Sequence, residues 1–210
     1  MSDSFDLNRE SDIEHRYKFN KKLNNDHRYG EFTILRNPQT SQLIMMKEKV
    51  LNTKDTIKRE ILQCQDLMNL QSPFIIELLD YSTSTQNDFC STFYKIRLFY
   101  EYESNDMQRE IKQRQSQGRC FAMEELTHLL YNMIEAGAYL QKNDHPHGDI
   151  RPCYLHITEK GNFKLGNRSS DGIPAAQHQI NIIVSGKHLY MAPQLYVALK
   201  RGNLKVTIFF

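Results

Sequence analysis

Cysteine is scarce in this 210-residue chain: Cys64, Cys90, Cys120 and Cys153 lie far apart, and no Cys-x-x-Cys pair occurs. That spacing argues against both a zinc site and a disulfide framework, and it fits a reduced, intracellular setting, cytoplasmic or nuclear. Long apolar runs are also missing. None approaches the roughly 18 residues of a membrane span, and the N-terminus lacks the basic-then-apolar order of a signal peptide, so neither membrane nor export is expected. Nor is there an excess of one charge: 27 basic against 25 acidic side chains leave +2, with the basic residues scattered among acidic ones. Nucleic acid is therefore not the expected partner.

What is present is a chain 40% hydrophobic and 25% charged, enough to bury a core in one or two domains and unlike any fibrous composition. Met1–His15 separates single apolar residues with Ser, Asp, Asn and Glu, which predicts a mobile leader over residues 1–16. Tyr17–Leu23, Glu31–Leu35 and Leu43–Lys49 read as three antiparallel strands, with Arg36-Asn37-Pro38-Gln39-Thr40 turning the chain between the last two. Thr53–Leu70 places Ile57, Ile61, Cys64, Leu67 and Met68 at helical spacing, with Thr53 or Asp55 free to cap it. Glu60 falls on the same inward stripe, where a carboxylate needs a partner. Lys47, near the end of the third strand, is the candidate; the alternative is a rotated helix with Glu60 in solvent. Phe74–Tyr81 and Thr92–Tyr102 read as two further strands joined by a polar turn, Ser82–Asp88. The period then changes to helical over Met123–Gln141, where Leu126, Leu129, Leu130, Met133, Ile134 and Leu140 are expected to form core. The expected class is α+β, with a unit over residues 17–103, a mainly helical unit over 104–210 and a hinge at about Glu101–Asp106.

The stretch from His145 to Tyr154, His-Pro-His-Gly-Asp-Ile-Arg-Pro-Cys-Tyr, sets Asp149 between that long helix and a short apolar strand, Leu155–Thr158. His145, His147 and Asp149 lack a fixed fourth ligand, so no metal site is expected from them. Together with Lys47 in Ile44-Met45-Met46-Lys47, Glu60, Gly166-Asn167-Arg168-Ser169 and the stretch from Gly186 to Pro193, this order of landmarks resembles the eukaryotic protein kinase fold. The likeness runs from Tyr17 to Phe210. It implies a bilobal architecture, a five-stranded small lobe with one helix and an incomplete, mainly helical large lobe. It also implies that Asp149 stands at the catalytic aspartate, and that nucleotide is held by Lys47, Glu60, Gly30 and the hinge residues Glu101 and Tyr102.

The departures from the pattern carry equal weight. The two metal-binding positions of the family are here Tyr154 and Asn167, and neither supplies an anionic oxygen to a hard cation. Arg168 and Ser169 complete the replacement of Asp-Phe-Gly. In the phosphate-covering loop, placed over Asn24–Tyr29, only Gly30 matches a family glycine, while Asn25 and His27 stand where backbone must approach phosphate closely. Met45 replaces a small residue of the adenine pocket, and Tyr100 is a bulky gatekeeper. His147-Gly148-Asp149 lacks the arginine that pairs with a phosphorylated activation loop, and Lys187 and Gln194 depart from the family's threonine and glutamate. Lys205 to Phe210 resembles the start of the central large-lobe helix, with Thr207 at its aspartate, so exposed apolar surface or a protein partner covering it is expected. The resemblance thus implies a pseudokinase acting as a regulatory or scaffolding module, with ATP bound weakly or not at all and Mg²⁺ not used. The alternatives are a divergent active protein kinase working through Lys47, Glu60 and Asp149, and a non-functional fragment of a longer kinase-like protein. Partner, pathway and oligomeric state are not legible.

Overall fold

Three consecutive strands, β1 (Lys18–Asp26), β2 (Gly30–Arg36) and β3 (Leu43–Leu51), form a meander. β5 (Ser91–Glu101) pairs with β3, and β4 (Leu78–Asp88) lies outside it, so the antiparallel sheet has the order β1-β2-β3-β5-β4. The computed structural model describes residues 5–26, 30–89, 91–145, 147, 150–166 and 197. These divide into two units, one of 1–72 with 76–102 and one of 73–75 with 103–210. The fold class is α+β, as the sequence predicts.

The β2–β3 turn forms where Asn37-Pro38 predicts it: the Asn37 side-chain oxygen accepts from the Gln39 and Thr40 amides at 2.9 and 3.2 Å. Helix α2 (Lys54–Met68) follows β3, and the Thr53 hydroxyl caps it by accepting from the Thr56 amide at 3.2 Å. Three boundaries differ from expectation. The strand expected from Phe74 begins only at Leu78, and residues 73–75 belong to the second unit. β1 continues through Asn24 to Asp26, which stands opposite Gly30, so the first half of the expected phosphate loop is strand. The run Ser82–Asp88, expected as a turn, is the body of β4, paired with β5 from Asp88↔Ser91 back to Asp80↔Phe99. Its hydroxyls read as loop, but alternate Thr and Ser side chains fit a pleated edge strand.

Residues directly opposite one another across strands share a face, and the register assigns the sheet two. Met45↔Tyr100, Lys47↔Leu98 and Lys49↔Ile96 lie on one, and Ile44↔Glu101, Met46↔Phe99 and Glu48↔Arg97 on the other. α2 covers the first, packing on β3, β4 and β5 with Ile57, Ile61 and Cys64 buried. The second is covered by the chain segment expected to be a mobile leader, a correction for residues 5–16. Here the short helix α1 (Asp12–Arg16), capped by Ser11, buries Ile13 against Leu35, Ile44 and Phe99, with Tyr17 beside it. The leader crosses the sheet from edge to edge before entering β1. Its two buried anchors, Ile13 and Tyr17, stand four apart at helical spacing, but two residues are too few to register as a periodic pattern.

The second unit pairs β6 (Asn105–Asp106), β7 (Leu155–Ile157) and β8 (Phe163–Leu165) antiparallel, with Ile75 bridging Leu165. Asp106 caps α3 (Met107–Ser116) by accepting from the Arg109 amide at 3.0 Å. The link from α3 to α4 (Met123–Lys142) is stapled by Arg114, which bonds Glu110 at 2.8 Å and both Glu125 oxygens at 2.6–2.7 Å, and stacks 4.1 Å over the Phe121 ring. Hydrogen bonds from Arg114 and from the Ala122 amide pull the Glu125 carboxyl down to about 2. α4 corrects the expected core stripe in part: Leu140 is buried as expected, and Leu129 and Met133 are half-buried. Asn132, Ala136 and Leu140 are buried, while Met123, Leu126, Leu130 and Ile134 are exposed, Leu130 by 61% and Ile134 by 57%. No helix among the described residues is long and apolar enough to cross a membrane.

Candidate functional site

In the first unit, the buried carboxylate predicted from the helical stripe is in place. Glu60 is buried on α2 and faces the sheet, which removes the reading of a rotated, solvated helix. Its ion-pair partner is not Lys47 but Lys49, whose Nζ lies 2.9 Å from a Glu60 carboxylate oxygen, with the two side chains only 15% and 9% exposed. The reason is strand geometry. Lys47 and Lys49 point to the same face because side chains alternate with a period of two, and they stand one pleat, about 7 Å, apart. The neighbour match to Ile-Met-Met-Lys favours Lys47; the position of α2 along β3 selects Lys49. Cys64, one turn after Glu60, is buried in the same layer. Burial first, and then the Glu60 carboxylate, pushes its thiol up to about 12, so it is not a nucleophile near neutrality.

The other residues that the resemblance assigns to a nucleotide are distributed along the sheet of this unit. Met45 and Tyr100 are cross-strand partners on the α2 face, and both are buried. Glu101 ends β5, its amide donating to the Glu77 carbonyl at 3.0 Å, and Tyr102 follows with its ring 6.3 Å from that of Phe32. Gly30 opens β2. His27 lies outside the described residues, as does the side chain of Asn25.

In the second unit, a 3₁₀ turn over Pro152–Tyr154 follows the stretch that holds Asp149. Asp149, with Gly148 and Pro146, lies outside the described residues, as do Asn167, Arg168, Ser169, Lys187, Gln194, Thr207 and the segments around them. The flanking residues are defined. His147 Nε2 is 2.6 Å from the Gly166 carbonyl oxygen, and its ring packs against that of Tyr154 with centroids 6.3 Å apart. Tyr154, at a position where the resemblance expects a metal ligand, is 2% exposed. Its hydroxyl accepts from Arg151 at 3.0 Å, the same guanidinium lies 4.8 Å from its ring centre, and its carbonyl accepts from the Gly166 amide at 2.7 Å. A buried phenol engaged by a cation does not suit a divalent ion, which favours carboxylate and water oxygens. Among the described residues no cluster of three or more His, Cys, Asp or Glu side chains could hold a metal.

Sequence reasoning missed a second charged constellation, on the leader side of the sheet. Arg9 pairs with Asp80 at 2.7 Å and lies 4.3 Å from the Tyr81 ring centre, while Ser11 donates to Asp80. Arg97 bridges Glu14 and Glu48, at 2.8 Å to each. Burial pushes the Asp80 carboxyl up, but Ser11, Arg9 and the Tyr81 amide together outweigh it and hold the group below its ordinary value. No local signal announces these pairs, because their members lie more than 65 residues apart in most cases. No protein-family model matches the chain.

Proposed function

We propose that the chain is a protein-kinase-like regulatory module that binds a partner protein and does not transfer phosphate. The single observation that carries this reading is Tyr154, buried and engaged by Arg151 five residues after Asp149, where phosphoryl transfer in the resembled family requires a metal-binding side chain. Support for the kinase-like half comes from the antiparallel five-stranded sheet, the helix inserted after its third strand, and the buried Lys49–Glu60 pair. In this reading that pair aligns helix with sheet, and Asp149 is retained for loop shape.

The same ion pair favours one rival, a divergent kinase that still clamps a nucleotide through Lys49. Thermal shift with ATP, with and without Mg²⁺, separates the two. The regulatory reading expects no metal-dependent rise in the melting temperature. A rise that needs Mg²⁺ and disappears in Lys49→Met would replace it with the rival.

A further inference from the structure

The β4 edge of the first sheet is filled by the leader in a way that shows what this edge can hold. An edge strand presents unpaired amides and carbonyls to any extended chain, and on β4 these fall on alternate residues, 81, 83 and 85. The Tyr81 carbonyl accepts from the Arg9 guanidinium, the Thr83 amide donates to the Arg9 carbonyl at 2.9 Å, and the Thr85 amide donates to the Asn8 side chain at 2.9 Å. Among the described residues the leader takes the place of a sixth strand with one backbone-to-backbone bond, Thr83 to Arg9. Its other backbone bonds to the edge run to side chains: the Arg9 amide donates to the Thr83 hydroxyl, and the Thr83 and Thr85 hydroxyls donate to the Asp6 and Leu7 carbonyls. On its inner side β4 holds a continuous ladder with β5.

Three features mark the leader as the weaker partner. Its ion pairs are partly exposed, with Arg97 at 40%, and such pairs contribute little. A cavity of about 200 Å³ remains between leader and sheet, lined by Glu10 and Glu14 on one side and Ser84, Lys95 and Arg97 on the other. The leader's fully buried apolar anchors are Ile13 and Tyr17, while Phe5 and Leu7 are only half-buried.

We infer that the β4 edge is a docking site for a segment of a partner protein that runs extended along the edge and then turns into a short helix. Residues 6–14 occupy it in cis as a displaceable stand-in, extended at Ser11 and helical from Asp12. The chemistry of the seat defines the segment. Asp80 with the Tyr81 ring takes an arginine, Asp80 also takes a hydroxyl two residues on, the Leu35–Ile44–Phe99 surface takes an aliphatic side chain, and Arg97 with Ser82 takes the carboxylate after it. The order is that of Arg9, Ser11, Ile13 and Glu14. Main-chain bonds along the edge supply affinity and the alternate side-chain seats supply selectivity. The site stands whether or not the chain transfers phosphate.

The test uses the full chain and a fluorescein-labelled synthetic peptide with the sequence of residues 5–17. In the unmodified chain the tethered leader competes at an effective concentration on the order of millimolar, so peptide binding is weak. The R9A/E14Q double variant loosens the leader and is expected to bind the peptide about tenfold more tightly, and D80N added to it is expected to abolish that gain. Equal, weak binding by all three chains overturns the inference. So does a concentration-dependent dimer of the double variant in light scattering, which would seat the leader of a second copy instead of a partner's segment. If the double variant does not fold, hydrogen exchange in the unmodified chain decides. Thr83 and Thr85 amides exchanging well ahead of the β5 amides support a displaceable leader, and equal protection overturns it.

Discussion

The two faces of the five-stranded sheet are held in different ways. On the α2 face the Lys49–Glu60 ion pair is sealed under a helix that buries Ile57, Ile61 and Cys64 beside it. On the leader face Ile13 and Tyr17 anchor a strap whose charges, Arg9 and Glu14, retain contact with solvent, as does Arg97 of β5, which pairs with Glu14. A buried pair is costly to break because either partner left alone is an uncompensated charge in a poor solvent for it. Partly exposed pairs are individually cheap to break. One face is therefore fixed and the other releasable.

The sharpest way to break this contrast is Lys49→Met, which leaves Glu60 buried without its ion-pair partner. A loss of about 3 kcal/mol in chemical denaturation is expected, with a smaller loss for Lys47→Met; the reverse order would return the pair to Lys47. Next comes Ile13→Ala, which removes the main apolar anchor of the strap and is expected to cost about 2 kcal/mol. Its signature is faster hydrogen exchange at Thr83 and Thr85, with α2 amides unchanged. Acid should act on the same face. The Asp80 carboxyl is held below its ordinary value, so its contribution is complete above the unfolded-chain value and is lost as pH falls through the depressed folded one. Leader amides should thus lose protection in strong acid before those of α2 do. The smallest effect is expected for Glu14→Gln, below about 1 kcal/mol, and a larger loss would mean that the leader face is as tightly locked as the other.

Much of the first unit was legible in the sequence because its signals are local: the Asn37-Pro38 turn, the Thr53 cap, and the helical stripe that put Glu60 inside. The misreadings share one cause, contacts between distant parts of the chain. Lys49 could be preferred to Lys47 only once the position of α2 along β3 was known, and period two alone leaves them equivalent. Ser82–Asp88 reads as a turn until its edge is seen to be covered by the leader, and the leader reads as mobile until Ser11 meets Asp80. On α4 the stripe Leu126, Leu130, Ile134 has faultless helical spacing. Spacing says that a face is apolar, not that something covers it: of the expected core residues Leu140 is buried, and Asn132 and Ala136 are the other buried positions. At the candidate site, a phenol at position 154, where the resemblance expects a metal ligand, was legible from residue type. Its engagement by Arg151 was not, since a 3₁₀ turn had to bring the two together.

The central claim is that kinase-like architecture is kept here for shape and partner binding and not for phosphoryl transfer. Its most direct test is a phosphate-transfer assay with radiolabelled ATP, Mg²⁺ or Mn²⁺ and generic protein substrates, run on the unmodified chain beside Asp149→Ala. The expected result is incorporation at background for both chains with either metal. Metal-dependent turnover by the unmodified chain that disappears in Asp149→Ala would contradict it.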